Sequence, residues 1–214
     1  MTEISKLRED ICVLAKSMLD RGLTCESSGN ISARLSDGTV LVTPTGRAMG
    51  FLDPAQISHL DQNFKLLSGD PPTKETPLHA AFYETRSGTG AVVHLHSTYS
   101  VTLSMLPETD PDNVLPPLTP YTIMRVGKVK LLPFFLPGDP GMGDAVRGLA
   151  GKRSAVLLAN HGPVVAGKDV WAAAFAMEEL EETAKLAMLT RGMNPTPLTE
   201  AHVQAVVKKF DVDW

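Results

Sequence analysis

Cysteine is scarce, and there is no long apolar run and no run of one charge. Cys12 and Cys25 are the two thiols in 214 residues, too few for a disulfide framework. They are expected to be reduced thiols in a cytosolic protein. The apolar stretches are too short to span a bilayer, and MTEISKLRED carries no apolar signal region. No membrane partner and a cytoplasmic location are therefore expected. Net charge is −4 with a pI near 5.9, without clustered Lys and Arg. That argues against nucleic acid, which needs many neutralised phosphates, but leaves room for a local pocket for one small anion. Repeats, low-complexity tracts and linkers are also missing. With 43% hydrophobic residues, the chain is expected to form one domain over residues 1–214.

What is present is an alternation of helical and strand patterns. Leu7, Ile11, Leu14 and Met18 recur at three- and four-residue steps, predicting a first helix closed by Gly22. NISARL and TVLVTP alternate as strands around Ser36-Asp37-Gly38. Asp53-Pro54 reads as a helix start. ISHLD and FKLLSG read as two short strands, and Thr76-Pro77 as the start of a helix reaching about Arg86. AVVHLH is a strand, with Ser97 as the cap of the next helix. Five prolines in residues 107–120 predict an irregular loop. KVKLLPFF is a strand, Asp139-Pro140 opens a helix ending near Gly151, and SAVLLAN and PVVAG are strands joined at His161-Gly162. A long helix over Lys168–Arg191 and a last one from Thr199 to Asp211 complete a mixed α/β domain. Strands that follow one another directly predict a largely antiparallel sheet.

Chemistry concentrates in a few places. In His94-Leu95-His96 two imidazoles share one face of a strand, so both can meet one metal ion. The other reading is a pair on a solvated face, which the preceding AVV weakens, since buried imidazoles without partners are costly. His161, in Asn160-His161-Gly162-Pro163 after an interior run, is the third candidate ligand; taken alone it reads better as a turn histidine. Three histidines leave a zinc-type ion with an open position, the catalytic pattern. Glu75 ends a stiff loop at a helix N-terminus and is the candidate acid–base group, or else a surface carboxylate complementing the helix dipole. His79, one turn on, either supports Glu75 or is a satisfied core histidine. Ser27-Ser28-Gly29-Asn30 and Thr43-Pro44-Thr45-Gly46-Arg47 offer hydroxyls and backbone N–H groups to an anion, though each is also a plausible turn. Asn30 is a further candidate for orienting a substrate oxygen.

In this order, SSGNIS, VTPTG, GDPPTKE, AVVHLH-S and ANHGPVVAG resemble the class II aldolase/adducin family over nearly the whole chain. The resemblance implies a three-layer α/β/α sandwich with a mostly antiparallel central sheet. It implies one divalent metal per subunit, Zn2+ first among candidates, held by His94, His96 and His161. Glu75 is implied as the acid–base carboxylate that also ligates the metal when substrate is absent. Phosphate contacts are implied at Ser27, Asn30, Thr45, Gly46 and Thr73, and Ser28 and Gly29 belong to the same loop. A homotetramer with active sites between subunits is implied, with Tyr121 the nearest match to a tyrosine donated by a neighbouring subunit. The fuculose-phosphate aldolases carry two serines before the glutamate, where this chain has Thr73 and Lys74. Lys74 adds a cation that suits a substrate with a second negative group. Within the family the sequence is most similar to the 3-oxo-tetronate 4-phosphate decarboxylases. The expected substrate is accordingly a small phosphorylated sugar acid, decarboxylated to dihydroxyacetone phosphate through an enediolate whose charge the metal stabilises. An aldolase acting on fuculose- or rhamnulose-type 1-phosphates is the alternative. A non-catalytic module like the adducin head is the third reading, and the complete His–His–His–Glu set counts against it.

Overall fold

The computed structural model describes residues 2–25, 27–212 and 214. Its helices are α1 (Glu3–Asp20), α2 (Thr76–Thr85), α3 (Thr98–Ser104), α4 (Pro120–Arg125), α5 (Gly141–Gly148), α6 (Val170–Leu189) and α7 (Glu200–Phe210). Its strands are β1 (Asn30–Arg34), β2 (Val40–Val42), β3 (Ser58–Leu60), β4 (Leu66–Ser68), β5 (Ala91–His94), β6 (Val129–Leu132), β7 (Ala155–Leu158) and β8 (Gly162–Gly167). The strands form one sheet in the order β4-β3-β2-β1-β5-β8-β7-β6. All neighbours are antiparallel except β6 and β7, which pair in parallel. That pair is joined through α5, since parallel strands need a crossover.

Strand alternation divides the core into two layers. Ile31, Ala33, Ala91, Val93, Leu157 and Val165 point to one face, where they pack with Ile11, Met18, Met177 and Leu180 of α1 and α6. Val92, Val156, Leu158 and Val164 point to the other face, against Leu78, Phe82, Met142 and Val146 of α2 and α5. The result is helix, sheet, helix, the expected sandwich. Each fully buried aliphatic side chain contributes about 1.5–3 kcal/mol to holding these layers together.

Most expected elements are in place. Helix α1 ends as predicted, with Gly22 at φ 72° and Leu23 N–H donating to the Met18 carbonyl. Thr199 caps α7. Four details differ. Asp53-Pro54 starts only a 3-10 turn, Pro54–Gln56, because β3 begins two residues later and claims the chain. The strand in KVKLLPFF stops at Leu132, since Pro133 cannot donate to a ladder. The proline-rich loop ends in a helix, α4, in which Pro120 is the first residue, the one helical position that tolerates proline. Ser97 occupies the N-cap of α3, but its side chain caps nothing there; Ser97 Oγ donates to the Leu23 carbonyl at 2.5 Å. The first α3 amides donate to Glu181 of α6 instead, from Tyr99 N at 2.8 Å and Ser100 N at 2.9 Å. Among the described residues no helix is long and apolar enough to cross a membrane.

Candidate metal and substrate site

At one end of the sheet three histidines converge. His94 ends β5, His96 follows two residues later, and His161 sits in the β7–β8 turn. Strands β5 and β8 are paired with His94 opposite Val164, which brings the turn onto the ligand strand. The approach is very close: a Cβ at Gly162 would stand 2.1 Å from the Leu95 carbonyl oxygen. Asn160 takes a left-handed conformation, φ 55°, to turn the chain, and its N–H donates to Ser104 Oγ at 2.9 Å. Gly29, at φ 89°, brings the SSGN loop against the same strand; a Cβ there would lie 2.9 Å from the His94 carbonyl oxygen.

The donor atoms are arranged as a ligand set. His94 Nδ1 lies 2.8 Å from the Pro163 carbonyl. A carbonyl only accepts, so Nδ1 carries the proton and Nε2 offers its lone pair. His94 Nε2 is 3.2 Å from His96 Nε2 and 3.4 Å from His161 Nε2. Glu75 Oε2 is 3.4 Å from His94 Nε2, and Oε1 is 3.4 Å from His161 Nε2. A tetrahedral ion with bonds of about 2.0–2.1 Å separates its ligands by roughly 3.3 Å. The three imidazoles thus fit a divalent ion, with the Glu75 carboxylate beside them.

Charge states agree with that use. Burial, together with His94 and His161, pushes His96 down to about 4, and burial and His94 also lower His161. Both imidazoles therefore stay neutral, as ligands must be. Burial raises the Glu75 carboxyl, but the His94, His161 and His79 imidazoles and a hydrogen bond from Asn30 together outweigh it and hold the group below its ordinary value.

The other sequence candidates line one cavity of about 240 Å³ with Glu75, His96 and His161. Its wall includes Ser27, Ser28, Gly29, Asn30, Thr45, Gly46, Thr73 and Lys74, with Pro137 and Gly138, the latter against Lys74. Its volume lies below the roughly 300–1,000 Å³ typical of drug-sized ligands, which suits a small metabolite. The TPTG and GDPPT loops are stitched together by Thr45 N–H to the Pro71 carbonyl and Thr73 N–H to the Thr43 carbonyl. Arg47 turns aside and pairs with Asp70 at 2.8 Å. Lys74 is exposed on the rim and makes no ion pair with Glu75 among the described residues. Tyr121, the second residue of α4, is 53% exposed and is not part of this cavity wall. His79 proves to be a satisfied core histidine that also supports Glu75. Its Nε2 meets Asn30 Oδ1 at 2.5 Å, and Asn30 Nδ2 donates to Glu75 Oε2 at 2.7 Å. Sequence reasoning missed Ser32, Tyr83 and Glu181. A usable signal existed for the first two, because Glu75, His79 and Tyr83 recur every four residues while Asn30 and Ser32 are two apart on a strand.

Comparison with known proteins agrees with the geometry. The chain is 48% identical over 197 residues to the 3-oxo-tetronate 4-phosphate decarboxylase of Cupriavidus necator, covering 92% of this chain and 89% of that protein. It is 34% identical to the L-fuculose phosphate aldolase of Methanococcus maripaludis, covering 81% of this chain and 91% of that one. Its fold matches the crystal structure of YgbL from Escherichia coli with a TM-score of 0.93 and 42% identity, over 96% of this chain and 99% of that one. Residues 9–188 match the model of the Class II Aldolase and Adducin N-terminal domain, and the chain belongs to that family.

Proposed function

We propose that the protein is a carbon–carbon lyase that decarboxylates a 3-oxo-tetronate 4-phosphate to dihydroxyacetone phosphate and carbon dioxide. The observation that carries this reading is the convergence of three Nε2 atoms and one carboxylate at the wall of a small cavity lined by hydroxyl- and glycine-rich loops. His94, His96 and His161 would hold a divalent ion, for which zinc is the first choice given three imidazoles. When bound, such an ion supplies Lewis-acid stabilisation of the charge that develops on the 3-oxo oxygen as carbon dioxide leaves.

The chain's own groups have separate tasks. Ser27, Ser28, Gly29, Asn30, Thr45, Gly46 and Thr73 surround the space where a phosphate would sit, and hydroxyls and backbone N–H groups bind anionic oxygen without a large basic patch. Lys74, on the rim next to Glu75, would meet the substrate carboxylate. Glu75, a carboxylate at rest, would take up a proton from solvent and hand it to the carbon that loses carbon dioxide, and Tyr121 of a neighbouring subunit is the second candidate for that step. The protein would act as a cytoplasmic homotetramer with active sites between subunits. The half-exposed Tyr121 and the free thiols of Cys12 and Cys25 are consistent with that setting.

The decisive assay measures carbon dioxide release from 3-oxo acid phosphates after chelation and metal add-back. Release that depends on added metal is expected. Aldehyde release from a ketose 1-phosphate in its place would establish the aldolase alternative. Glu75→Gln should abolish turnover while metal stays bound, and near-normal activity would remove Glu75 from the mechanism. Lys74→Ser should impair decarboxylation and leave metal binding unchanged; unaltered kinetics on the acid-sugar phosphate would refute its role.

A further inference from the structure

Behind Glu75 four side chains form a continuous hydrogen-bond chain whose direction follows from one fixed point. A carboxylate only accepts, and Glu75 Oε2 faces Asn30 Nδ2 at 2.7 Å. The Asn30 amide must therefore turn Oδ1 toward His79, whose Nε2 lies 2.5 Å away and so carries a proton. His79 is 1% exposed, and its burial favours the neutral ring, pushing its pKa down to about 3. Its Nδ1 is then bare and accepts from Ser32 Oγ at 2.7 Å. Having donated there, the Ser32 hydroxyl accepts from the Tyr83 hydroxyl at 2.8 Å. Burial raises the Tyr83 phenol, keeping it a donor, and the Arg34 guanidinium lies 4.5 Å from its ring centroid. No link can reverse alone: a flipped Asn30 would set its oxygen against the carboxylate.

We propose that Tyr83, Ser32, His79 and Asn30 are positioning residues, a one-way chain of donors that pins Glu75 by Oε2 and keeps Oε1, the oxygen beside His161, turned to the substrate cavity. The proposal rests on the reading of Glu75 as the acid–base group. It adds that the carboxylate is oriented from within the layer between α2 and the sheet, through residues that touch neither metal nor substrate except Asn30. Support from outside the first ring of ligands typically changes activity by about 10- to 100-fold.

The test has two readouts. In the metal-free protein, nitrogen-15 spectra of labelled histidine should show His79 with Nε2 protonated and Nδ1 bare; a proton on Nδ1 of the neutral ring overturns the chain. In the metal-loaded enzyme, Ser32→Ala should lower kcat by about 10-fold or more with KM and metal affinity held. Tyr83→Phe should lower it less. Because Tyr83 acts only through Ser32, the double variant should be no slower than Ser32→Ala alone. Additive losses, or full kcat in Ser32→Ala, would refute the proposal. Glu75→Gln separates the two ideas. If that variant keeps turnover, the acid–base reading falls, while the His79 spectrum still decides whether the chain exists.

Discussion

Replacing Gly162 with alanine tests whether the metal site depends on the contact between β5 and β8. The new Cβ would stand 2.1 Å from the Leu95 carbonyl oxygen, 3.1 Å from its carbon and 3.3 Å from His96 Cα. Real Cβ atoms stay at 3.0 Å or more, so the backbone must open from 2.1 to at least 3.0 Å, by 0.9 Å or more. All three obstacles are backbone, so no side chain can swing away to absorb the clash. Overpacking of this kind costs about 1–3 kcal/mol, or roughly 2–4 °C in Tm per kcal/mol for a domain of this size. The strain falls between His94 and His96 on one side and next to His161 on the other. Moving His161 away by that amount would stretch its 3.4 Å separation from His94 well past the roughly 3.3 Å edge of a tetrahedral ion. A misplacement of about 1 Å is also enough to cost about 100-fold in rate. Calorimetric titration of the metal-free protein with zinc, alongside kcat/KM for carbon dioxide release, measures both effects. Gly148→Ala is the control, since a Cβ there meets nothing within 4 Å. Wild-type zinc affinity and turnover in Gly162→Ala would refute the argument that this close approach builds the site.

Two further perturbations have signs fixed by the structure. His79 titrates near 3 when folded against an ordinary 6.5, so between those values the unfolded chain binds the extra proton. Stability of the metal-free protein is then full above pH 6.5 and falls as the solution is acidified toward pH 3, by about 2 kcal/mol on reaching pH 5. Denaturant titrations at neutral pH and at about pH 5 should show that loss shrinking in His79→Asn; an unchanged pH slope would contradict the assignment. Glu181→Ala removes the acceptor for two α3 amides, each costing about 1–3 kcal/mol when left buried and unpaired. Relief of the burial that raises the Glu181 carboxyl offsets part of this, leaving a net loss of about 2 kcal/mol. A thermal melt equal to wild type would show that water or a neighbouring group takes over the cap.

How much of this was legible in the sequence depends on the range of the interaction. His94 and His96 were readable because a strand's period of two is a local rule, and α7 because Thr199 caps it with neighbouring atoms. The sheet's antiparallel character followed from strands too close in sequence for crossovers. Failures came where distant residues compete for a group. Ser97 looked like a cap, but Leu23, 74 residues away, takes its hydroxyl, and Glu181, over 80 residues away, takes over the capping. Pro120 sat in a run that reads as loop, although as a first helical residue it is permissive rather than disruptive.

The support behind Glu75 is the instructive intermediate case. Glu75, His79 and Tyr83 lie on one side of α2 by the four-residue rule, and Asn30 and Ser32 lie on one side of β1 by the two-residue rule. Each half of the chain is thus a local pattern. What the sequence lacks is the packing that lays α2 on β1, and the register by which β1 pairs with β5 so that Asn30 falls opposite His94. That pairing sets the Asn30 amide beside His94 of the adjacent strand, and the packing of α2 brings Glu75 and His79 onto the two ends of the same amide. One proposed metal ligand, His94, and two of the proposed positioning residues, Asn30 and Ser32, are therefore placed by the same strand pairing. A substitution that slipped β1 by one residue would turn Asn30 and Ser32 to the opposite face, losing the support for Glu75 while leaving the three histidines on β5 and the β7–β8 turn.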